Sequence, residues 1–250
     1  MKTKGICAII TGAAEGIGRA VAERLLEKEA KFVAVLDVNK TKEKTAKDLR
    51  EKFGKERVQY FHCNVTKDED IKRAFKQAYD INKRVDVIVN NAGVPEWHPD
   101  ILQINLGSVI TGSELAKDYL SKTKRGYGGV LINTASILGL FPLGYTRYVA
   151  TKFGVVGLTL SLPLQDSCFS PDDVRVGAIC PGFVETNLSK EVADKVNFIK
   201  MDQIVDAFLL MIEDDTKHNC CIRITPKLGI DFHPLTPHEQ FLKLTGILKD

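Results

Sequence analysis

The stretch Gly5-Ile6-Cys7-Ala8-Ile9-Ile10-Thr11-Gly12-Ala13-Ala14-Glu15-Gly16-Ile17-Gly18 decides the fold. Its apolar run is unbroken, as a strand covered on both faces of a parallel sheet requires; a half-exposed strand would alternate. A glycine-rich turn follows, and then a helix-period segment, Ile17–Glu29. Glycines there let the chain turn sharply, admit a pyrophosphate against the backbone and let the helix pack close to the sheet. The helix start adds free N–H groups and the positive end of its dipole. Glycines alone also mark ordinary strand-to-helix turns. The order strand, loop, helix gives them their weight.

The same alternation continues outward. Gly5–Ile10, Lys31–Leu36, Arg57–Phe61, Val85–Val89, Gly129–Asn133, Val174–Ile179 and Cys221–Thr225 read as strands. Between them, Ile17–Glu29, Thr41–Phe53, Lys67–Tyr79, Ile101–Lys122, Arg147–Leu162 and Met201–Ile212 read as helices. Strict alternation predicts an α/β, Rossmann-type, doubly wound parallel sheet of seven strands with right-handed crossovers. One domain is expected over 1–250, with 1–95 mainly the cofactor-binding half and 96–250 the catalytic and substrate half. Gly126–Gly129 reads as a turn into a strand, and the tail from Asp231 as a surface-draped segment.

Composition narrows the class. The 250 residues are 44% hydrophobic and 27% charged, enough for one sizeable core and too structured for a disordered or fibrous chain. No apolar run approaches the roughly 20 residues of a membrane helix. Lys and Arg number 35 against 32 Asp and Glu, and no basic stripe interleaves with aromatics, so nucleic acid is not expected as a partner. The six cysteines show no metal-ligand spacing. No metal is expected, and the cytosol is the expected compartment.

Asp37 ends the second strand about 20 residues beyond the glycine turn, where a carboxylate receives ribose hydroxyls. There it repels the extra phosphate of NADP, and Glu15 adds a second negative charge, so NAD is the expected cofactor. Lys40, Lys42 and Lys44 are read as the solvated face of the next helix. Tyr148 and Lys152 stand four apart, on one face of a predicted helix. Tyr79 and Lys83 share that spacing, but only Tyr148 follows a serine, Ser136, at the carboxyl edge of a strand, where open α/β sheets bind ligands. Such a trio suits alcohol oxidation. The phenol takes the hydroxyl proton, the serine aims the reacting oxygen, and the ammonium lowers a phenol pKa that is ordinarily near 10 by about two to three units.

These motifs resemble the short-chain dehydrogenase/reductase family, classical subgroup, from Gly5 to about Thr225. The resemblance rests on Thr11–Gly18, Asn90-Asn91-Ala92-Gly93, Asn105, Ser136, Tyr148 with Lys152, and Pro181-Gly182-Phe183-Val184-Glu185-Thr186. It implies a catalytic set of Asn105, Ser136, Tyr148 and Lys152, with Asn105 holding a water that relays the proton through Lys152. It further implies a cofactor held by Gly12, Ala14, Glu15, Gly16, Ile17, Gly18, Asp37, Val38, Asn64, Val65, Asn91, Tyr148, Lys152, Pro181, Val184 and Thr186. Asn64 departs from the family's usual Asp.

Within the family, the stretches around Asn105, Tyr148 and Pro181 are most similar to NAD-dependent 15-hydroxyprostaglandin dehydrogenases and their invertebrate relatives. Tyr145 stands where those enzymes carry Gln, and the segment Leu188–Met201, expected to cover the pocket, is abbreviated. The reaction is therefore carried over and the prostaglandin is not. Ile137, Leu138, Leu140, Phe141, Leu143, Tyr145, Phe183 and Leu188 predict an apolar pocket for a small hydrophobic alcohol or ketone, with Ser136, Tyr145 and Tyr148 touching it. Two readings are open for Trp97 and His98, lining the rim of the site or capping a loop, and the loop is favoured. Two alternatives stand beside this reading: an NADPH-dependent carbonyl reductase, and a non-catalytic protein that binds a hydrophobic ligand. The resemblance also implies a homodimer or homotetramer through Ile101–Lys122 and Arg147–Leu162, the latter expected to end early at Pro163.

Overall fold

In the first strand, β1 (Cys7–Thr11), every residue is buried. Successive side chains of a strand point to opposite faces, and here both faces are covered. Ala8 and Ile10 enter one apolar cluster with Val21, Leu25 and Phe208. Cys7 and Ile9 enter another with Ile71, Phe75 and Tyr119. Burying each isoleucine contributes about 2 kcal/mol, and no one-sided sheet could use both.

The computed structural model describes residues 1–39, 43–186, 188 and 196–234. After β1 come α1 (Gly16–Glu27), β2 (Phe32–Asp37), α2 (Glu43–Phe53), β3 (Val58–His62), α3 (Asp68–Asn82) and β4 (Val87–Asn90). The second half runs α4 (Ser108–Leu120), β5 (Gly129–Thr134), α5 (Thr146–Gln165), β6 (Val174–Pro181), α6 (Met201–Glu213), β7 (Cys220–Thr225) and β8 (Gly229–Phe232). The sheet order is β3-β2-β1-β4-β5-β6-β7-β8. Pairing is parallel from β3 to β7. Because β1 lies between β2 and β4, the chain reverses its direction of winding there, and a crevice opens at the carboxyl ends of those strands.

Three sequence expectations change. The sheet has eight strands among the described residues rather than seven. β8 pairs antiparallel with β7, Arg223 opposite Asp231, so the chain from Gly229 to Phe232 extends the sheet instead of draping over it. Helix α5 does not end at Pro163 but runs two residues further, to Gln165. A proline so close to the end removes a single helical bond, and the Asp166 N–H still closes on the Leu162 carbonyl. The predicted helix Ile101–Lys122 is not uniform: a π-helical turn over Gln103–Gly107 precedes α4. Lys40, Lys42, residues 189–195 of Leu188–Met201 and the tail beyond residue 234 lie outside the described residues.

Candidate active site

The glycine loop is shaped by contacts that no larger residue would allow. Gly12 has φ +62°, and a Cβ on it would sit 2.8 Å from Ala92 Cα. A Cβ on Gly18 would meet the Gly12 carbonyl oxygen at 2.5 Å. The loop and the turn after β4 are laced together. Thr11 Oγ1 accepts from the N–H groups of Asn91 (2.9 Å) and Ala92 (3.1 Å). Asn91 Nδ2 donates to the carbonyls of Thr11 (3.1 Å) and Gly12 (3.2 Å). Ala14 is gripped at both ends of its residue: its N–H donates to Asp37 Oδ2 at 3.1 Å and its carbonyl accepts from Thr45 Oγ1 at 2.7 Å. Asp37 Oδ1 also accepts from the Asn39 N–H. Its carboxylate is thereby fixed at the end of β2, facing the cleft.

That cleft has a volume of about 430 Å³. Most of the expected cofactor residues line it: Gly12, Glu15, Gly16, Ile17, Asp37, Val38, Asn64, Val65, Asn91, Tyr148, Lys152, Pro181, Val184 and Thr186. Ala14 and Gly18 stand behind this wall, one anchoring the loop and the other admitting close helix packing. Bare backbone at the helix start, a fixed carboxylate at the end of β2 and a cleft continuous with Lys152 fit a dinucleotide. Asn64 uses its amide oxygen locally, accepting from Thr66 N–H and Oγ1.

The catalytic candidates meet at the cleft's inner end. Ser136 follows β5, and its Oγ accepts from the Leu138 N–H at 3.1 Å. The Tyr148 phenol stands near enough for Ser136 to lower its pKa. Lys152 is buried, its Nζ donating to the Thr134 carbonyl at 2.9 Å and lying 5.5 Å from the centre of the Tyr148 ring. The electrostatics correct one expectation. Burial pushes the Tyr148 phenol up to about 12, opposed by Ser136, where the sequence predicts acidification by Lys152. Burial likewise brings Lys152 down to about 8. In the protein alone, desolvation favours the neutral form of both groups.

Asn105 belongs to the set in a different manner. It lies in the π turn, fully buried, with Oδ1 accepting from Val94 N–H (2.8 Å) and Nδ2 donating to Val94 O (3.0 Å). Its side chain braces the turn after β4. Gly93 separates it from Lys152: a Cβ there would sit 3.6 Å from Asn105 Oδ1 and 3.8 Å from Lys152 Nζ. Below the site, Asn90 Nδ2 donates to Asn133 Oδ1 (2.9 Å), and Asn133 Nδ2 to Thr159 Oγ1 (3.0 Å). This buried ladder ties β4, β5 and α5 together beneath the catalytic groups.

Of the expected pocket residues, Ile137, Leu138, Tyr145, Phe183 and Leu188 line the cleft. Leu140, Phe141 and Leu143 do not; Phe141 instead packs edge-on against His233. Trp97 corrects its reading, since it lines the cleft wall. His98 keeps its role as a loop cap, its Nδ1 accepting from the Asp100 N–H. Thr45 and Glu96 carry no local sequence signal, because the groups they hold are distant in sequence.

A family model described as short chain dehydrogenase matches residues 6–197. The chain belongs to the short-chain dehydrogenase family. Among relatives, it is 38% identical to the 15-hydroxyprostaglandin dehydrogenase [NAD(+)] of Macaca fascicularis, covering 96% of this chain and 98% of that protein. It is 34% identical to the 3beta-hydroxysteroid dehydrogenase 2 of Eggerthella lenta, over 74% of this chain and 73% of that one. Its fold is shared with the 3-ketoacyl-(acyl-carrier-protein) reductase of Brucella melitensis, solved with NADH, at TM-score 0.79 and 24% identity, covering 91% of this short-chain dehydrogenase and all of that chain.

Proposed function

We propose that this short-chain dehydrogenase oxidises a hydrophobic secondary alcohol with NAD, Tyr148 acting as the general base. The observation that carries the reading is the convergence of Ser136, Tyr148 and Lys152 at the inner end of a cleft whose outer end holds the fixed Asp37 carboxylate. NAD, held by the residues that line the cleft, would supply the hydride acceptor and a positively charged ring.

Tyr148 Oη takes the hydroxyl proton, and Ser136 Oγ holds the same oxygen while stabilising the phenolate. Lys152, pinned on the Thr134 carbonyl, presents an ammonium to the forming negative charge; at a pKa of about 8 it is still mostly protonated at neutral pH. The proton then leaves through Lys152 toward a water, which we assign to the gap that Gly93 leaves beside Asn105. Asp37 and Glu15 disfavour a 2′-phosphate, which argues against the NADPH-linked alternative. Ile137, Leu138, Phe183 and Trp97 provide an apolar wall for the substrate, with Tyr145 as a polar contact.

On this reading the 1–95 half mainly holds the cofactor, and the 96–250 half carries the catalytic groups and the substrate wall, with Tyr148, Lys152, Pro181, Val184 and Thr186 completing the cofactor site. Self-association is assigned to the outer faces of α4 and α5, where Ile110 and Phe153 are exposed. Six free cysteines, five of them buried, suit the reducing cytosol. Among the described residues no helix is long and apolar enough to cross a membrane.

The test is reduced-cofactor formation with NAD or NADP across primary and secondary alcohols of rising hydrophobicity. NAD-linked turnover that improves with hydrophobicity is expected. Tight NAD binding without turnover on any alcohol would replace the reading with a binding protein.

A further inference from the structure

The turn after β4 carries an acidic residue whose partners lie on a different element. Glu96 Oε1 accepts from the main-chain N–H of Arg147 at 3.1 Å, and Glu96 Oε2 from that of Tyr148 at 2.6 Å. These are the second and third residues of α5, whose N–H groups have no acceptor within the helix and ordinarily fall to an N-cap side chain. The residue in the N-cap place, Tyr145, makes no such bond. Glu96 therefore caps α5 from 52 residues away, where its negative charge also suits the positive end of the helix.

The same turn is pinned elsewhere. Arg147 Nη2 donates to the Pro99 carbonyl at 2.9 Å, Val94 is paired with Asn105 on both its main-chain groups, and Asn91 and Ala92 hang from Thr11. Residues 91–99 thus join the glycine loop, the π turn and the first turn of α5. Glu96 is the point at which that strap grips the residue bearing the phenol.

We propose that Glu96 is a positioning residue for Tyr148: it holds the first turn of α5 so that the phenol meets Ser136, and it links that placement to the cofactor loop. This rests on Tyr148 being the base. The backbone N–H of Tyr148 is its direct handle; the carboxylate takes no proton in the reaction.

The experiment compares Glu96→Ala, Glu96→Gln and the wild type by steady-state kinetics with NAD and the best alcohol, and by NMR amide exchange. Glu96→Ala is expected to lower kcat about tenfold or more, the scale of a misplaced reacting group. The alcohol KM and the NAD affinity should move less than about threefold, since Glu96, although it lines the cleft, acts chiefly on the placement of the phenol. Glu96→Gln keeps an acceptor oxygen and should fall between the two. The Arg147 and Tyr148 amides should exchange faster in Glu96→Ala while those of 152–162 keep their wild-type rates. Wild-type kcat in Glu96→Ala, or exchange accelerated evenly along α5, would overturn the proposal. Should the wild type show no NAD-linked turnover, the dehydrogenase reading fails separately. The exchange data then decide alone: selective loss at residues 147 and 148 supports the cap, and uniform loss refutes it.

Discussion

Alanine at three glycines separates backbone strain from steric exclusion. Gly5, Gly12 and Gly16 all have positive φ, +81°, +62° and +57°. A Cβ at Gly5 would meet nothing within 4 Å, and at Gly16 it would meet Thr186 Cγ2 at 3.6 Å, an ordinary contact. At Gly12 it would lie 2.8 Å from Ala92 Cα and 3.1 Å from Ala92 N. That is main chain, tied to Thr11 by a hydrogen bond, so it has little room to retreat. The left-handed conformation costs a non-glycine residue about 1–2 kcal/mol. Stiffening of the unfolded chain offsets roughly 0.4–1 kcal/mol of this, leaving about 1 kcal/mol for Gly5→Ala and Gly16→Ala. Overpacking adds about 1–3 kcal/mol at Gly12, for a total of about 2–4 kcal/mol. With a urea slope of about 3 kcal/mol/M, the midpoint should fall by about 0.3 M in the first two variants and about 0.7–1.3 M in Gly12→Ala. Urea unfolding followed by circular dichroism reads this directly. Equal midpoints for Gly12→Ala and Gly16→Ala would refute the claim that the turn after β4 closes on the glycine loop.

Asp37→Ser should weaken NAD binding and raise the NADP-to-NAD affinity ratio about tenfold or more, read by cofactor fluorescence titration; an unchanged ratio would remove Asp37 from cofactor choice. Lys152, brought from 10.5 to about 8 by burial, makes stability depend on pH. Between those values the unfolded chain holds the extra proton, so stability rises with pH across that window and its full cost is present below about 8. Wild type should gain about 2 kcal/mol relative to Lys152→Met between pH 7 and 9.5, measured by urea unfolding; a flat difference would contradict the buried ammonium.

Strands such as Cys7–Thr11 and Val87–Asn90 were legible because they are apolar runs buried on both faces. β3, with Gln59 and His62 and only partial burial, could be placed only by its position in the alternation of strands and helices. β8 was not legible. Its four residues, Gly229–Phe232, include an aspartate and are at most half-buried, so only pairing with β7 makes them a strand. The π turn was equally silent, since its setting includes the Asn105 side chain bonding to Val94, 11 residues away. Ser136, Tyr148 and Lys152 could be picked out because their chemistry demands those residue types after a strand and on one helix face. Their protonation could not be read, because it depends on burial that no spacing encodes. Glu96 carries no local signal at all: its partners belong to another element, and the N-cap it replaces is an unremarkable Tyr145.

The most direct test of the account is NADH formation at 340 nm by wild type and Tyr148→Phe with a hydrophobic secondary alcohol, the variant first shown by calorimetry to bind NAD. Removing the phenolic oxygen takes away the base and the Ser136 contact while leaving the ring in place. The account predicts turnover in the wild type and a loss of about a hundredfold or more in kcat for the variant, the lower end of what a positioned base contributes. Turnover in Tyr148→Phe close to that of the wild type would contradict it.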